Sequence, residues 1–215
     1  MPFTIEQFLG IFKSYNNSIY PFQYALFISA VFILFLVIRK RSYRSPVITW
    51  ILIFYWLWMG VVYQILFFSS INPAAYVFGV IFILQAMVFV KAGIIDKKLE
   101  FEFVKGINQF TGAVIILYAL IIYPLLNVYF GHVYPENPTF GLPCPTTIFT
   151  FGILLWTTKK IPGYVLIIPL IWAALGISAA LQLGIKEDLG LFAAGILSAG
   201  LIFTSRIKER KVKTA

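Results

Sequence analysis

The sequence predicts an all-helical integral membrane protein, a bundle of seven transmembrane segments with the N-terminus outside and the C-terminus in the cytoplasm. Three observations support this class. The 215 residues are 60% hydrophobic and only 12% charged, which is more apolar than a soluble domain of this size. The apolar residues form long runs that suit a hydrocarbon core about 30 Å thick. The basic residues gather at alternate ends of those runs, as expected for a membrane protein.

Residues 1–19 predict a short amphipathic helix that precedes the first span. Thr4 and Gln7 have the spacing of a capping box, which would start this helix. Its apolar face would consist of Ile5, Phe8, Leu9 and Phe12. Two placements stay open for the helix: in the plane of the membrane interface, or packed across one end of the bundle.

Residues 20–205 are predicted to form a single transmembrane bundle, followed by a basic cytoplasmic tail at residues 206–215. Six of its seven spans are continuous apolar runs, at residues 21–38, 46–68, 73–95, 109–130, 162–183 and 189–204. Ser45 and Asn72 are the expected N-caps of the second and third spans. Pro124 and Pro169 are expected to bend the spans that contain them.

The fifth span is predicted to be short and to follow a break in the helix. The apolar run at residues 146–158 would cover about 20 Å as a helix, less than the hydrocarbon core. Pro143 and Pro145 remove two backbone donors and oppose a regular helix before residue 146. We therefore expect re-entrant, irregular backbone at residues 140–145, a short helix starting at Pro145, and Cys144 as its N-cap. A thiol at a helix N-terminus faces free N–H groups, which favours the thiolate.

The orientation follows from the basic residues. All but two of the 17 lysines and arginines, Lys13 and Lys186, fall in the loops at residues 39–44, 91–105 and 159–160 or in the tail. The positive-inside rule places these segments in the cytoplasm and the loop at residues 131–145 outside. This topology and contact with anionic lipid explain the basic tail better than nucleic acid does, so we expect a lipid bilayer and no nucleic acid as partner.

A candidate binding site lies where polar side chains meet the predicted break. Gln64, Tyr123 and Asn127 all fall in the outer half of their spans, at the depth of the break. We expect an outward-opening cavity there, with the free amides of residues 146–148 facing a small polar or anionic solute. The candidate ligand-binding residues are Cys144, Thr146, Thr147, Gln64, Tyr123, Asn127 and His132. Alternatively, the polar side chains only satisfy the backbone groups that the break leaves free.

Several function classes are disfavoured by what the predicted spans lack. None of them contains Asp, Glu or Arg, which argues against proton-driven transport. The last span has no lysine for a retinal Schiff base, and a single histidine argues against an intramembrane hydrolase. The donors near the break, Cys144, His132 and Glu136, are too few for a closed metal site, so we expect no metal and no cofactor.

Two stretches of the sequence are similar to a known family. The opening MPFTIEQFLGIFKSYN and the loop GHVYPENPTFGLPCPTTIFTFG resemble a family of uncharacterised bacterial multi-pass membrane proteins, classified as a domain of unknown function. The resemblance covers most of the chain, and the segment at residues 131–152 is its most specific part. It implies a small protein of the bacterial inner membrane and supplies no activity, substrate or site.

Three hypotheses about function follow, and we lean towards a protein that is not an enzyme. The first is binding or passive permeation of a small polar or anionic solute at the half-helix site. The second is a membrane thiol protein, for redox or soft-metal handling, centred on Cys144. The third is a structural subunit, either of a homo-oligomer or of a larger membrane complex.

Overall fold

The chain folds as a bundle of eight helices in the computed structural model, which describes residues 3–39 and 41–213, with the backbone alone at residue 179 and residues 205–213. The described part is all-helical and has no β-strand. The helices are α1 Ile5–Ile19, α2 Phe22–Ile38, α3 Arg44–Ser70, α4 Ala75–Ile95, α5 Ile107–Tyr129, α6 Pro143–Leu154, α7 Tyr164–Leu183 and α8 Leu189–Lys213. From α2 onwards, successive helices run in alternate directions between two ends, which we call the α1 end and the basic end.

Five stretches of helix in the described chain are long and apolar enough to cross a membrane, and six if α1 and α2 count as one bent span. They are α3, α4, α5, α7 and the segment Lys186–Thr204, which contains the start of α8. The seven predicted segments also include α2 and α6, which have 17 and 12 residues. Each of these two is shorter than the about 20 residues that a span ordinarily needs. The helices therefore indicate a membrane protein, with five or six spans by length and composition.

Helix α1 lies across the α1 end of the bundle. The predicted capping box is present, because Gln7 N donates to Thr4 Oγ1 and Thr4 N donates to Gln7 Oε1. The chain then turns by 85° into α2. The buried face of α1 packs on the end of α3, where the Tyr15 ring meets Tyr63 edge-on at 5.6 Å. The apolar face of α1 therefore packs against the bundle.

Three of the long helices contain a stretch of wider π-helical turns: Met59–Phe67 in α3, Val90–Ile95 in α4 and Tyr118–Ile122 in α5. The stretch in α5 directly precedes Pro124, the predicted site of a bend. Proline has no N–H and its ring collides with the carbonyl four residues earlier, so a wider turn at this point relieves the conflict.

Helix α6 is the centre of the bundle and is enclosed by protein. Eleven of its twelve residues are buried, and it packs mainly on α5 and α8. Its backbone touches that of α5, because a Cβ atom on Gly152 would lie 2.9 Å from the carbonyl oxygen of Gly112. From α3, the indole of Trp56 donates to Thr150 Oγ1 at 3.3 Å.

The predicted start of this central helix is wrong by two residues. The helix begins at Pro143, and its N-cap is the extended residue Leu142 rather than Cys144. Prolines at the first and third positions are tolerated, because the first-turn N–H groups of a helix have no intrahelical partner. The irregular backbone therefore ends at Leu142. Gly141, at φ +103, makes the last turn and donates its N–H to Thr146 Oγ1 at 2.9 Å.

The basic end is held by contacts between its loops. Arg44 pairs with Glu102 at 2.6 Å, and Phe101 forms a bridge with Thr157. The predicted role of Ser45 as an N-cap is wrong: α3 already begins at Arg44, and Ser45 Oγ accepts from Phe101 N at 3.0 Å. Asn72, the other predicted cap, accepts from Ala74 N in the turn before α4.

Candidate functional site

A cavity of about 170 Å³ lies at the α1 end, between α1, α3, α4, α5, α6 and α7. We call it the aromatic chamber. Its aromatic walls include Phe8, Phe12, Tyr63, Phe68, Phe78 and Trp172, and its polar patch consists of Tyr123, Cys144 and Asp188. It has the size of cavities that accept a benzene-sized molecule, for which about 150 Å³ suffices.

The aromatic walls come from four helices. Phe8 of α1 meets Phe68 of α3 edge-on at 5.7 Å, and Phe68 stacks on Tyr63 at 5.8 Å. On the other side, Phe78 of α4 meets Trp172 of α7 at 5.6 Å. The amphipathic pattern of α1 is what brings its share of the rings here, since its apolar face turns towards the bundle.

The polar patch is built around Asp188. This residue is only 3% exposed, and its Oδ1 accepts from the hydroxyl of Tyr123 at 2.6 Å. The thiol of Cys144 lies beside the same carboxylate. Cys144 is also the one residue of α6 that is only partly buried, and it lies on the chamber wall.

A second buried acid adjoins the patch. Glu187 is fully buried, and its Oε1 lies 2.8 Å from Nδ1 of His132. Its backbone carbonyl accepts from the hydroxyl of Tyr118 at 2.7 Å. The fold turns both acids inward: Gly184, at φ +69, ends α7, and a short 3-10 turn at Lys186–Asp188 reverses the chain into α8. Gly190 follows this turn and packs closely on the ring of Tyr118. A Cβ atom at position 190 would collide with that ring.

Three of the seven predicted site residues lie on or directly behind the chamber wall, and the other four do not. Cys144 and Tyr123 lie on the wall of the chamber, and His132 lies behind it on Glu187. The remaining four, Gln64, Asn127, Thr146 and Thr147, are fully buried and do not belong to the chamber wall.

The four buried residues differ in their hydrogen bonds. Asn127 Nδ2 donates to the carbonyl of Pro138 at 3.0 Å, and Thr146 binds the loop at Gly141. The amide atoms of Gln64 and the hydroxyl of Thr147 have no hydrogen-bond partner among the described residues. The alternative considered above concerned Gln64, Tyr123 and Asn127. Of these, Asn127 alone binds loop backbone, at Pro138 just before the break, whereas Tyr123 binds Asp188 and Gln64 has no partner among the described residues.

The predicted amide site at the start of α6 is altered by the earlier helix start. Thr146 N donates to Leu142 O at 3.3 Å. The amides of Thr147 and Ile148 are the fifth and sixth of the helix and are used within it. Cys144 is a helical residue next to a carboxylate instead of a cap facing free amides, so the proposed basis for its thiolate is absent.

Glu187 and Asp188 lie between the last two predicted spans and were not among the predicted site residues. The predicted spans themselves contain no acid, but the structure buries both of these side chains against α5 and its following loop. The available signal was the pair of acids directly before the small-residue stretch that opens α8. Within the described chain, no group of three His, Cys, Asp or Glu side chains is placed to hold a metal ion.

Comparison with known proteins gives one match. The model of a family of unknown function, DUF6064, matches residues 5–213 of the chain. Searches of curated proteins and of solved structures found no match. Because the family model covers nearly the whole described chain, including the aromatic chamber and both buried acids, the protein belongs to the DUF6064 family.

Proposed function

We propose that this protein is a multi-pass membrane protein that binds a small solute in the aromatic chamber. The observation that carries the proposal is the chamber itself, an aromatic cavity of about 170 Å³ whose wall includes a buried carboxylate, a phenol and a thiol. Ligand sites in proteins are typically apolar cavities with a few convergent polar groups. Passive permeation would follow if α1 moves aside, since α1 closes one side of the chamber.

The proposed topology places the chamber near the outer surface of a bacterial inner membrane. Seven helices, α2 to α8, would cross the membrane, with α6 as the short fifth segment and residues 140–142 as its re-entrant entry. The asymmetry of basic residues supports a cytoplasmic basic end and an outward-facing α1 end. Irregular backbone at such depth is tolerated because protein surrounds it, and residues 140–142 are buried.

The polar patch argues against the anionic solute expected at first. The amides intended for an anion are used within α6, and two buried carboxylates lie close by. A solute with a donor group would complement Asp188, whereas an anion would be repelled by it. We therefore propose a solute that is polar or positively charged.

The binding proposal is tested by thermal unfolding of the full chain, followed with a bulky thiol-reactive dye. Cys144 is the only cysteine, so the dye reports the loss of its buried environment. The probes are choline and the neutral 3,3-dimethylbutan-1-ol, both compact enough for the chamber. We expect at least one of them to raise the unfolding temperature, since a ligand at 100 times its Kd stabilises by about 2.7 kcal/mol.

Two variants locate the effect of the probes. Ser178→Phe adds a ring at the chamber wall and should abolish the shift, whereas Ala174→Phe adds the same ring on the exposed face of α7 and should retain it. No shift with either probe, or an equal shift in Ser178→Phe, would refute binding in the chamber.

A second candidate function is thiol chemistry, favoured by the position of Cys144 as the one partly buried residue of an otherwise buried helix α6. Cys144→Ser separates the two candidates because it replaces the thiol by a hydroxyl of similar size. Solute binding, followed by tryptophan fluorescence, should survive this substitution. Loss of solute binding in Cys144→Ser would instead favour the thiol function.

A further inference from the structure

We propose that the solute of the aromatic chamber is a compact organic monocation, an ammonium group on a small apolar body. This inference rests on the proposed binding function and specifies the class of ligand. Three features of the chamber support it: a carboxylate without a positive partner, aromatic faces around it, and a volume suited to a small molecule.

The first feature is the unbalanced charge of Asp188. Its Oδ1 accepts from the Tyr123 hydroxyl at 2.6 Å, and this neutral donor supplies no counter-charge. Two basic side chains of neighbouring segments have other partners, because His132 binds Glu187 and Lys186 lies over the ring of Phe130. No described lysine, arginine or histidine is within salt-bridge distance of Asp188. A buried carboxylate is costly without a counter-charge, and a bound cation would supply one.

The second feature is the number of aromatic side chains that line the chamber. Aromatic side chains attract cations to their faces, and sites for quaternary ammonium groups are commonly built from several of them. Phe8, Tyr63, Phe68 and Trp172 all contribute to the chamber that Asp188 enters. A hydrated metal ion would not suit such walls, whereas an alkylammonium group, which carries its charge on an apolar surface, would.

The third feature is size. At about 170 Å³, the chamber is slightly larger than a cavity that holds benzene, which takes about 150 Å³. It therefore fits a solute of the size of choline. The volume excludes long-chain lipids as complete occupants.

The charge preference is tested by isothermal titration of the full chain in nanodiscs of phosphatidylethanolamine and phosphatidylglycerol, which contain no choline headgroup. Choline and 3,3-dimethylbutan-1-ol have the same shape and differ in the charged central atom. We expect choline to bind about tenfold more tightly or better, the effect of a desolvated cation over aromatic faces. Equal affinities, or tighter binding of the alcohol, would overturn the cation inference and leave solute binding intact. If neither probe binds, both proposals fail.

A matched pair of variants tests the role of the carboxylate. Asp188→Asn removes the charge at the chamber and keeps the size of the side chain, and we expect it to reduce choline affinity to that of the alcohol. Glu187→Gln removes the charge of the adjacent acid, which binds His132 outside the chamber, and should keep the preference. A preference that persists in Asp188→Asn would overturn the inference. If Asp188→Asn does not fold, the two probes on the unaltered protein decide the question alone.

Discussion

Gln64 and Gln85 are two fully buried glutamines in very different surroundings. Gln85 Nε2 donates to the carbonyl of Val165 at 3.0 Å and so joins α4 to α7. Neither polar atom of Gln64 has a hydrogen-bond partner among the described residues. A buried polar group without a partner keeps its full desolvation cost. The amide of Gln85 is therefore satisfied at Nε2 only, because its Oε1 also lacks a partner among the described residues, whereas the amide of Gln64 is satisfied at neither atom.

This contrast gives a prediction for one substitution at two sites. Gln64→Met should raise the free energy of unfolding by about 1 kcal/mol, because it removes an unpaired amide and keeps the volume. Gln85→Met should lower it by about 1 kcal/mol, because it leaves the Val165 carbonyl without its donor. Thermal unfolding of both variants in detergent is the measurement. Destabilisation by Gln64→Met would mean that its amide takes part in a functional or structural bond.

At the scale of single residues, the sequence allowed only part of the site to be predicted. Tyr123 and Cys144 were placed at the cavity, because one is a polar residue at the right depth and the other lies at the Pro-Cys-Pro break. Asp188 was not, because hydropathy treats an acid between two apolar runs as part of a loop. Its burial depends on a turn at Gly184 and on a partner, Tyr123, that lies 65 positions earlier in the chain.

Among the helices, α1 is fixed to the loop before α6 by Asn16 and by an exposed ion pair between Lys13 and Glu136. Asn16 Nδ2 donates to the carbonyls of Pro135 and Asn137 at 2.8 and 2.9 Å, and its Oδ1 accepts from Thr139 Oγ1 at 2.7 Å. Three bonds from one buried side chain thus fix α1 to the loop before α6. Because α1 also supplies rings to the chamber, this tie determines how firmly the chamber is closed.

We predict that Asn16→Ala loosens α1 and exposes Cys144. Loss of these bonds should cost about 1–3 kcal/mol, since two carbonyls and a hydroxyl lose a buried partner. The rate of Cys144 modification by a water-soluble maleimide should rise. Asn17→Ala, at the exposed neighbouring position, is the control and should leave the rate unchanged. An unchanged rate in Asn16→Ala would show that α1 does not control access to the thiol.

The contact between α5 and α6 depends on two glycines that face each other. Gly112 and Gly152 let the two backbones touch, since a Cβ atom on either would lie within 3 Å of the carbonyl oxygen of the other. These oxygens belong to the backbone of packed helices, so they cannot move aside for an added methyl group as the end of a flexible side chain can. Small residues at helix crossings have this function in membrane proteins generally.

Gly152→Ala should therefore destabilise the protein by about 1–3 kcal/mol, the usual cost of forcing extra volume into a packed core. Gly200→Ala is the matched control, because a Cβ atom there meets nothing within 4 Å. Alanine at position 200 should leave stability unchanged or raise it slightly, given its better helix propensity. Equal unfolding temperatures for the two variants would contradict the proposed close contact.

The sequence predicted which helices exist better than where they begin. The capping box of Thr4 and Gln7 was recognised because both partners are close in the chain, and the structure confirms it. Ser45 and Cys144 were assigned as caps on local pattern alone. Ser45 instead accepts a bond from Phe101, 56 positions away, which no local pattern reveals.

For the whole molecule, the proposed orientation gives a further prediction. A fluorescent protein that folds only in the cytoplasm should be bright when fused to the C-terminus and dark when fused to the N-terminus. Exported alkaline phosphatase should show the opposite pattern of activity at the two ends. The physical reason is the gathering of basic loops at one end of the bundle. A periplasmic C-terminus would refute the orientation, and two termini on the same side of the membrane would refute the count of seven crossings.

The membrane class of the molecule was predictable from composition, because long apolar runs have few other stable environments. The number of crossings was not predictable from composition, because it depends on whether the short helices α2 and α6 cross the membrane. Residues 143–154 are as apolar as a membrane span, but the helix is shorter than a span. Their place in the bundle follows from long-range packing against α5 and α8.

The enclosure of α6 also has a consequence for the order of biosynthesis. When the ribosome has added residue 155, α5 is available as a neighbour, whereas α7 and α8 have not yet been made. A helix of twelve residues reaches about 18 Å, so it has little hold on the bilayer by itself. Its contacts with α8, the last helix, form only when the chain is nearly complete. A nascent chain that ended before Leu189 would leave that face of the central helix turned towards lipid.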